Sequence, residues 1–438
     1  MIKTAKFGGS SMADAAQFKK VKDIIYSDSA RQLVVVSAAG KRNSSDHKLT
    51  DLLYLCHAHL TYGVSCDDIL NTIQDRFSSI RDELGLKYDV EADFEKLRAG
   101  LNKDTPSDFL VSRGEYFTAR LMAEYLGFTF VDAADCVFFG FDGIIDKEKT
   151  YAAIKAAHGE YGKIVIPGFY GSLPNGRIKV MTRGGSDITG ALAAAAAGCG
   201  VYENWTDVSG ILMADPRIVS DPRPISHITY GELRELAFMG ASVLHEDSVM
   251  PVKESGIALN IRNTNAPGDP GTMITDSVED EDREGERFIT GIAGRRNFDI
   301  LTVTKHNMEL NHCLSLTLDI LDRFKVPVEH VSLGLDTFSL VAAHTALGEA
   351  LYDIIGEIRK VCHPDDVNVR DNIALVAAVG RKMTFRPGIS GRLFKALGEN
   401  RINCRTIAQG ADELSIIVGV DNSQFETAIR VLYDGFAG

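Results

Sequence analysis

Five apolar segments in the first two-thirds of the chain each have the composition of a buried β-strand, and they alternate with helical stretches. They begin at Leu33, Phe128, Lys163, Gly200 and Gly256. Their apolar residues follow one another almost without interruption, which is typical of strands buried on both faces of a mostly parallel sheet. The pattern predicts an α/β fold with a mostly parallel sheet sandwiched by helices.

The last third of the chain contains an internal repeat. Residues 318–341 align without gaps on residues 394–417, so that Gly334 falls on Gly410. Each copy has the pattern helix, strand, Gly-x-Asp turn, strand, helix, and apolar segments before each copy add further strands. We therefore expect two βαββαβ units of the ferredoxin-like kind.

These patterns divide the chain into an α/β domain over residues 1–288 and two βαββαβ units over 297–372 and 373–438. The sequence leaves open whether one unit is nested in the other. Residues 67–108 have helical periodicity and predict a helical excursion without an assigned role. Residues 276–287 carry seven acids and two arginines, and either a linker or a solvated helix face fits them.

Composition excludes several classes of protein. The formal net charge of −13 disfavours nucleic acid or an acidic membrane surface as a partner. The seven cysteines include no CxxC pair, which disfavours a disulfide framework or a zinc site and favours a reducing compartment. No apolar run has the length of a membrane span, so the sequence predicts a cytoplasmic protein.

A glycine-rich loop follows the first predicted strand. Residues 6–11 (KFGGSS) place a lysine beside two glycines whose N–H groups can approach a phosphate closely. An ordinary strand-to-helix turn has the same composition. Neither a Walker A pattern nor GxGxxG occurs, which disfavours a P-loop NTPase and a Rossmann dehydrogenase.

A second loop, residues 182–187 (TRGGSD), leads into an alanine-rich helix. Ser186 or Asp187 would cap this helix, and Gly198 would end it. Free N–H groups at the helix start favour an anion. Arg183 strengthens that interpretation, because a guanidinium can hold a carboxylate or phosphate with two hydrogen bonds.

Two more segments carry charged groups next to predicted strands and helices. Glu115 opens a helix, where an acid can also simply complement the helix dipole. Residues 205–217 (WTDVSGILMADPR) follow a strand and combine two Asp-containing turns with a terminal Arg. A loop of this kind at the carboxyl edge of a parallel sheet favours nucleotide binding.

In this order, the motifs resemble those of the aspartate kinases along nearly the whole chain. KFGGSS resembles the family's KFGGTS signature, TRGGSD its GRGGSD loop, and residues 205–217 its TDVDGVYTADPR nucleotide loop. The C-terminal duplication resembles its tandem ACT domains. The resemblance implies the amino-acid-kinase fold and transfer of the ATP γ-phosphoryl group to L-aspartate, giving 4-phospho-L-aspartate for lysine, threonine and methionine synthesis.

The resemblance also implies a role for each matching residue. Arg183 would hold the α-carboxylate of aspartate and Glu115 its α-amino group. No metal ligand in the protein is implied, because Mg²⁺ enters with ATP. The implied catalytic residues are Lys6 and Asp187; the implied ATP-binding residues are Lys6, Gly8, Gly9, Thr206, Asp207, Leu212, Arg217 and Lys253; the implied substrate-binding residues are Ser37, Thr50, Glu115, Arg183 and Ser186.

The sequence departs from the family pattern at three places. Ser209 stands where an acid or proline is usual, and Leu212 where a tyrosine is common. No glycine follows Met308 in the first repeat, so lysine, threonine or both stay open as the inhibitor. The resemblance further implies a homo-oligomer built through residues 300–438. The alternatives are a kinase for glutamate or acetylglutamate and a non-catalytic amino-acid sensor.

Overall fold

A computed structural model describes residues 1–182, 184–241, 244, 246–278, 289–306, 310–381, 383, 387–410 and 414–437. Arg183, most of the acidic segment 276–287 and the loop at Met308 lie outside the described residues. Two compact units are present. The first comprises Met1–Ile211, Pro224–Tyr230 and Val243–Glu279; the second comprises Leu212–Arg223, Gly231–Ser242 and Asp280–Gly438.

The first unit contains an eight-stranded sheet, in the order β10-β12-β11-β7-β1-β2-β4-β3, and the two-stranded antiparallel sheet β5-β6, while β8 and β9 form a further two-stranded sheet. All neighbours in the large sheet are parallel except β11 and β12. The strands are β1 (Lys3–Phe7), β2 (Arg31–Val36), β3 (Thr129–Phe130), β4 (Ile164–Pro167), β5 (Tyr170–Ser172), β6 (Ile178–Val180), β7 (Val201–Thr206), β8 (Ile211–Leu212), β9 (Pro224–Ile225), β10 (His227–Thr229), β11 (Ala258–Asn263) and β12 (Thr272–Thr275).

Helices connect these strands, and α10 belongs to the second unit from residue 231 onward. No helix among the described residues is both long and apolar enough to cross a membrane. The segment predicted as a helical excursion, 67–108, forms α3, α4 and the start of α5. The helices are α1 (Ala15–Tyr26), α2 (Leu49–Thr61), α3 (Asp67–Leu84), α4 (Val90–Gly100), α5 (Ser107–Val111), α6 (Arg113–Leu126), α7 (Ala133–Cys136), α8 (Lys147–Tyr161), α9 (Gly185–Ala197), α10 (Tyr230–Phe238) and α11 (Glu246–Glu254).

The sheet is covered on both faces, as the uninterrupted apolar runs predict. Phe7 and Trp205 point to one face, where their stacked rings belong to a core shared with α1 to α4 and α6. Neighbouring residues on a strand point to opposite faces. Lys6 and Asn204 therefore face the other side, where α9 packs against β1, β2 and β7.

The second unit contains a six-stranded antiparallel sheet in the order β14-β15-β13-β16-β18-β17. One hydrophobic core of this unit lies between the first copy's strands and the helices α12 and α14, around Phe338 and Ile354. The elements are β13 (Gly291–Thr304), α12 (Leu310–Arg323), β14 (Val328–Leu333), β15 (Thr337–Ala343), α13 (His344–Leu347), α14 (Leu351–Cys362), β16 (Asp366–Val379), α15 (Ile389–Glu399), β17 (Thr406–Gln409), β18 (Ser415–Asp421) and α16 (Phe425–Ala437).

The internal repeat is visible in the order of these elements, since α12, β14, β15 and α14 correspond to α15, β17, β18 and α16. In the first copy the predicted turn is present, because the Gly334 N–H donates to the Thr337 carbonyl at 2.7 Å. Asp412 of the second turn lies outside the described residues. The long strands β13 and β16 pair along almost their full lengths, from Gly291 opposite Val379 to Thr304 opposite Asp366.

Candidate active site

The carboxyl ends of four adjacent parallel strands, β7, β1, β2 and β4, meet at one edge of the first unit's sheet. This edge is where open α/β sheets bind their ligands. Lys6 lies at the end of β1, Ser37 directly follows β2, Gly168 follows β4, and Thr206 ends β7. The parallel topology thus brings together residues that are far apart in sequence.

Lys6 and Asp187, the two predicted catalytic residues, form an ion pair. The Lys6 Nζ lies 2.5 Å from the Asp187 Oδ1, and the lysine side chain is only 8% exposed. A Cβ added at Gly8 would lie 3.9 Å from this ammonium. A buried cation beside a glycine turn is suited to holding phosphate oxygens.

The predicted cap of the alanine-rich helix was wrong. Helix α9 starts at Gly185, and its N-cap is Gly184 at φ 72°, without a side-chain capping bond. The left-handed conformation suits glycine, and it begins the helix before Ser186 and Asp187 can cap it. Both residues therefore lie in the first turn, where Asp187 is free to face the sheet. The helix ends at Gly198, as predicted, in the left-handed conformation.

The glycine-rich loop after β1 lies against the loop after β2. The Gly8 N–H donates to the Trp205 carbonyl at 2.9 Å, and the Gly40 N–H donates to the Gly9 carbonyl at 2.8 Å. A Cβ at Gly40 would meet the Gly9 carbonyl oxygen at 2.4 Å. Only glycine at position 40 permits this approach, which fixes the position of Gly8 and Gly9.

Glu115 lies in the first turn of α6 and is almost completely buried, with 4% of its surface exposed. Burial raises the pKa of its carboxyl group to about 8, although the N–H groups of Ala38 and of Glu115 itself and the charge of Arg113 oppose the shift. Its Oε2 has no hydrogen-bond partner among the residues that the structure describes. A buried carboxyl with an open acceptor is suited to a cationic group of a ligand.

Two of the remaining predicted substrate residues lie near the same edge. Ser37 donates its N–H to the Phe7 carbonyl at 3.1 Å, which places it beside the end of β1. Ser186 is buried, and a Cβ at Gly168 would lie 2.6 Å from its side chain. Thr50 is the second residue of α2, half-buried. Arg183 lies outside the described residues, so its convergence with Lys6 stays a prediction.

The predicted nucleotide residues are divided between the two units. Thr206 ends β7, and its hydroxyl donates to Asp207 at 3.1 Å. Lys253 is exposed on α11, which packs against α9. Leu212 and Arg217 belong to the second unit, where the exposed guanidinium of Arg217 pairs with Asp215 at 2.6 Å.

Sequence reasoning missed three residues of this region. Asn204 and Tyr202 on β7 both hydrogen-bond to Asp187. Phe169 follows β4 with φ 79°, a conformation that is uncommon for a residue with a side chain and clusters at functional sites. The only signal for Asn204 was a polar residue inside an apolar strand.

Comparisons with known proteins agree with this geometry. The model of the amino acid kinase family matches residues 1–263, and an ACT domain model matches residues 376–436. Aspartokinase 3 of Bacillus subtilis is 32% identical over 455 residues, covering 99% of this chain and 98% of that protein.

Solved structures show the same similarity. The aspartate kinase of Clostridium acetobutylicum has 46% sequence identity and a TM-score of 0.91, with 99% of both chains covered. Escherichia coli aspartokinase III in complex with aspartate and ADP (R-state) has 26% identity and a TM-score of 0.76, with 100% of both chains covered. The same protein with lysine and aspartate (T-state) has a TM-score of 0.74.

Proposed function

Because the chain belongs to the aspartokinases of the amino acid kinase family, we propose that it transfers the γ-phosphoryl group of MgATP to the side-chain carboxylate of L-aspartate. The observation that carries the proposal is the ion pair between the buried Lys6 and the partly exposed Asp187, at the sheet edge where the Glu115 Oε2 also lacks a hydrogen-bond partner among the described residues. The product is 4-phospho-L-aspartate.

Phosphoryl transfer to a carboxylate requires the protein to position the two reactants and to stabilise the charge that develops. The aspartate carboxylate is already an anionic nucleophile, so no general base is needed. Lys6 offsets the repulsion between two anions, and Gly8 and Gly9, which carry no side chains, let phosphate oxygens approach the loop closely. Glu115 binds the substrate ammonium, and Arg183 binds its α-carboxylate. Thr206, Asp207, Leu212, Arg217 and Lys253 bind the nucleotide.

Mg²⁺ enters with ATP as part of the substrate. Among the described residues, no group of three or more His, Cys, Asp or Glu side chains could hold a metal ion. When bound, the ion neutralises charge on the transferred group.

The test is a coupled phosphorylation assay with MgATP and, in parallel, L-aspartate, L-glutamate and N-acetylglutamate. We expect turnover with aspartate and at most background with the other two acids. Turnover with glutamate instead would reassign the substrate. Absence of turnover with every acid would favour a non-catalytic sensor.

We also propose feedback control through the second unit. The T-state structure of the E. coli relative contains lysine, which supports lysine as an effector; threonine is the alternative. Assays with each amino acid alone and with both together decide between them. An enzyme lacking residues 300–438 that was still fully inhibited would contradict this control.

We further propose that two chains associate through residues 300–438. Two apolar side chains at the β14–β15 turn support it, since Leu333 is 59% and Leu335 92% exposed. Light scattering after gel filtration should give a dimer or larger, and Leu335→Lys should weaken it. A monomeric wild-type protein at micromolar concentration would refute the association.

A further inference from the structure

Strand β7 presents two polar side chains to the start of α9. Tyr202 and Asn204 are two residues apart and so point to the same face of the sheet. The Tyr202 hydroxyl donates to the Asp187 carbonyl at 3.1 Å, and the Asn204 side-chain amide donates to the Asp187 Oδ1 at 2.8 Å. One strand therefore holds both the backbone and the carboxylate of Asp187.

Asn204 is also the direct neighbour of Lys6 in the sheet. The register of the parallel strands β1 and β7 places Lys6 opposite Asn204. The Lys6 Nζ contacts the same Asp187 Oδ1 that accepts from the amide. A carboxylate oxygen has two lone pairs and can accept from both donors at once.

Burial increases the importance of the hydrogen bonds that Tyr202 and Asn204 donate to Asp187. Asn204 is 3% exposed, and the ring of Tyr202 lies so close to α9 that a Cβ at Gly190 would come within 2.4 Å of its hydroxyl oxygen. Helix α9 therefore cannot approach β7 further to compensate for a lost bond. In a buried site, a hydrogen bond is stronger than in water, and an unpaired group is costly.

We propose that Asn204 is a positioning residue for phosphoryl transfer. Its amide fixes the Asp187 carboxylate, which in turn holds the Lys6 ammonium where the γ-phosphoryl group is transferred. The inference rests on the proposed function and extends it to a residue that does not itself touch a substrate. Without the amide, the carboxylate is free to rotate, and the ammonium that it holds moves with it. Misplaced charge stabilisation lowers the rate more than the affinity.

The first test replaces the amide with an apolar side chain of similar size. Asn204→Leu should lower kcat about ten- to a hundredfold, the effect of a lost hydrogen bond to a charged group. The KM values for MgATP and aspartate should stay within about threefold, because Asn204 contacts neither substrate. Asn260→Leu is the matched control: Asn260 lies on the neighbouring strand β11, and its buried Oδ1 has no hydrogen-bond partner in the described part of the chain. Its kcat should match wild type.

A double-mutant cycle separates positioning from general damage to the fold. Because Asn204 acts through Asp187, Asn204→Leu should add less than about twofold to the loss caused by Asp187→Ala. Isothermal titration measures MgADP binding, and the variants should bind MgADP as wild type does.

Three results would overturn the inference: unchanged kcat in Asn204→Leu, a rise in both KM values at unchanged kcat, or fully additive losses in the cycle. Any of these with an active wild type leaves the proposed function intact. A wild type that does not phosphorylate aspartate refutes the proposed function and this inference together.

Discussion

At the scale of single residues, the active site depends on a small number of buried charges. Lys6 is the only one of the predicted phosphate-binding residues that is both cationic and buried in the part of the chain that the structure describes. Its partner Asp187 keeps the ammonium in place when no nucleotide is bound. The electrostatic role of this pair leads to a direct prediction.

Lys6→Ala should reduce kcat by at least about a hundredfold, as the loss of a preorganised charge-stabilising group typically does. Steady-state kinetics with MgATP and aspartate measure this loss. Lys3→Ala is the control on the same strand, because Lys3 pairs with Asp28 at a half-exposed position, and its kcat should stay within about twofold of wild type. A Lys6→Ala enzyme within a few-fold of wild type would contradict the assigned role.

The binding of aspartate should depend on pH through Glu115. With a pKa of about 8, its carboxyl group is protonated in the free protein at pH 7. It must lose that proton to pair with the substrate ammonium. Raising the pH therefore strengthens binding, by at most about tenfold per pH unit, and the effect levels off above the pKa of the free protein.

Isothermal titration in buffers of different ionisation enthalpy measures the proton release directly. Wild type should release close to one proton at pH 7. Glu115→Gln should release none, bind aspartate more weakly and bind MgADP normally. Equal proton release by both proteins would show that another group titrates.

At the scale of elements, the helical excursion supports the loop that leads to Thr50. Arg76 on α3 is 4% exposed, and its guanidinium donates to Asp46 and, at 2.7 Å, to the His47 carbonyl. Arg42 and Arg76 hold the pKa of Asp46 far below its usual range. The excursion, which had no role in the sequence prediction, thus fixes the segment before α2.

Arg76→Gln should lower the free energy of unfolding by about 3 kcal/mol, because it breaks a buried ion pair, and it should raise the KM for aspartate by loosening the approach to Thr50. Urea denaturation and kinetics measure the two effects. Arg81→Gln, on the same helix, should lower stability by less than about 1 kcal/mol, since its partner Glu91 is 44% exposed. Equal losses of stability in Arg76→Gln and Arg81→Gln would contradict the proposal that Arg76 fixes the segment before α2.

The sequence predicts the secondary-structure elements more accurately than it predicts the contacts between their side chains. Uninterrupted apolar runs identified β2, β4, β7 and β11 because burial on both faces leaves a direct compositional signal. The cap of α9 was missed because glycine in the left-handed conformation replaced a side-chain cap. Asn204 was missed because its importance depends on the register between β1 and β7, which no local pattern encodes.

At the scale of the whole molecule, the two compact units are not separated at a single position in the chain, because each unit contains several separate segments. Segments 212–223 and 231–242, which precede the acidic segment, belong to the second unit. There the Ile292 N–H donates to the Met213 carbonyl at 2.7 Å, and Arg381 pairs with Glu232 at 3.1 Å. The predicted boundary at residue 288 stays a proposal, as does that between the two repeat units.

A fragment of residues 1–288 should therefore fold poorly. It would expose Met213, Leu236 and Met239, which are all at most 2% exposed in the intact chain. At about 1.5–3 kcal/mol for each apolar side chain, the loss reaches a large part of the stability of an ordinary domain. Solubility and thermal unfolding of the fragment measure it; a soluble fragment that melts at the wild-type temperature would contradict the expectation.

The register between β13 and β16 bears on how an effector signal would spread. The first half of β13 pairs with the part of β16 that also pairs with β18, and its second half pairs with β15. Both copies of the repeat therefore share the long strands β13 and β16. A small molecule that stabilised either copy would therefore also stabilise the strand pairing of the other copy. The two copies should respond to an effector together and unfold in a single transition.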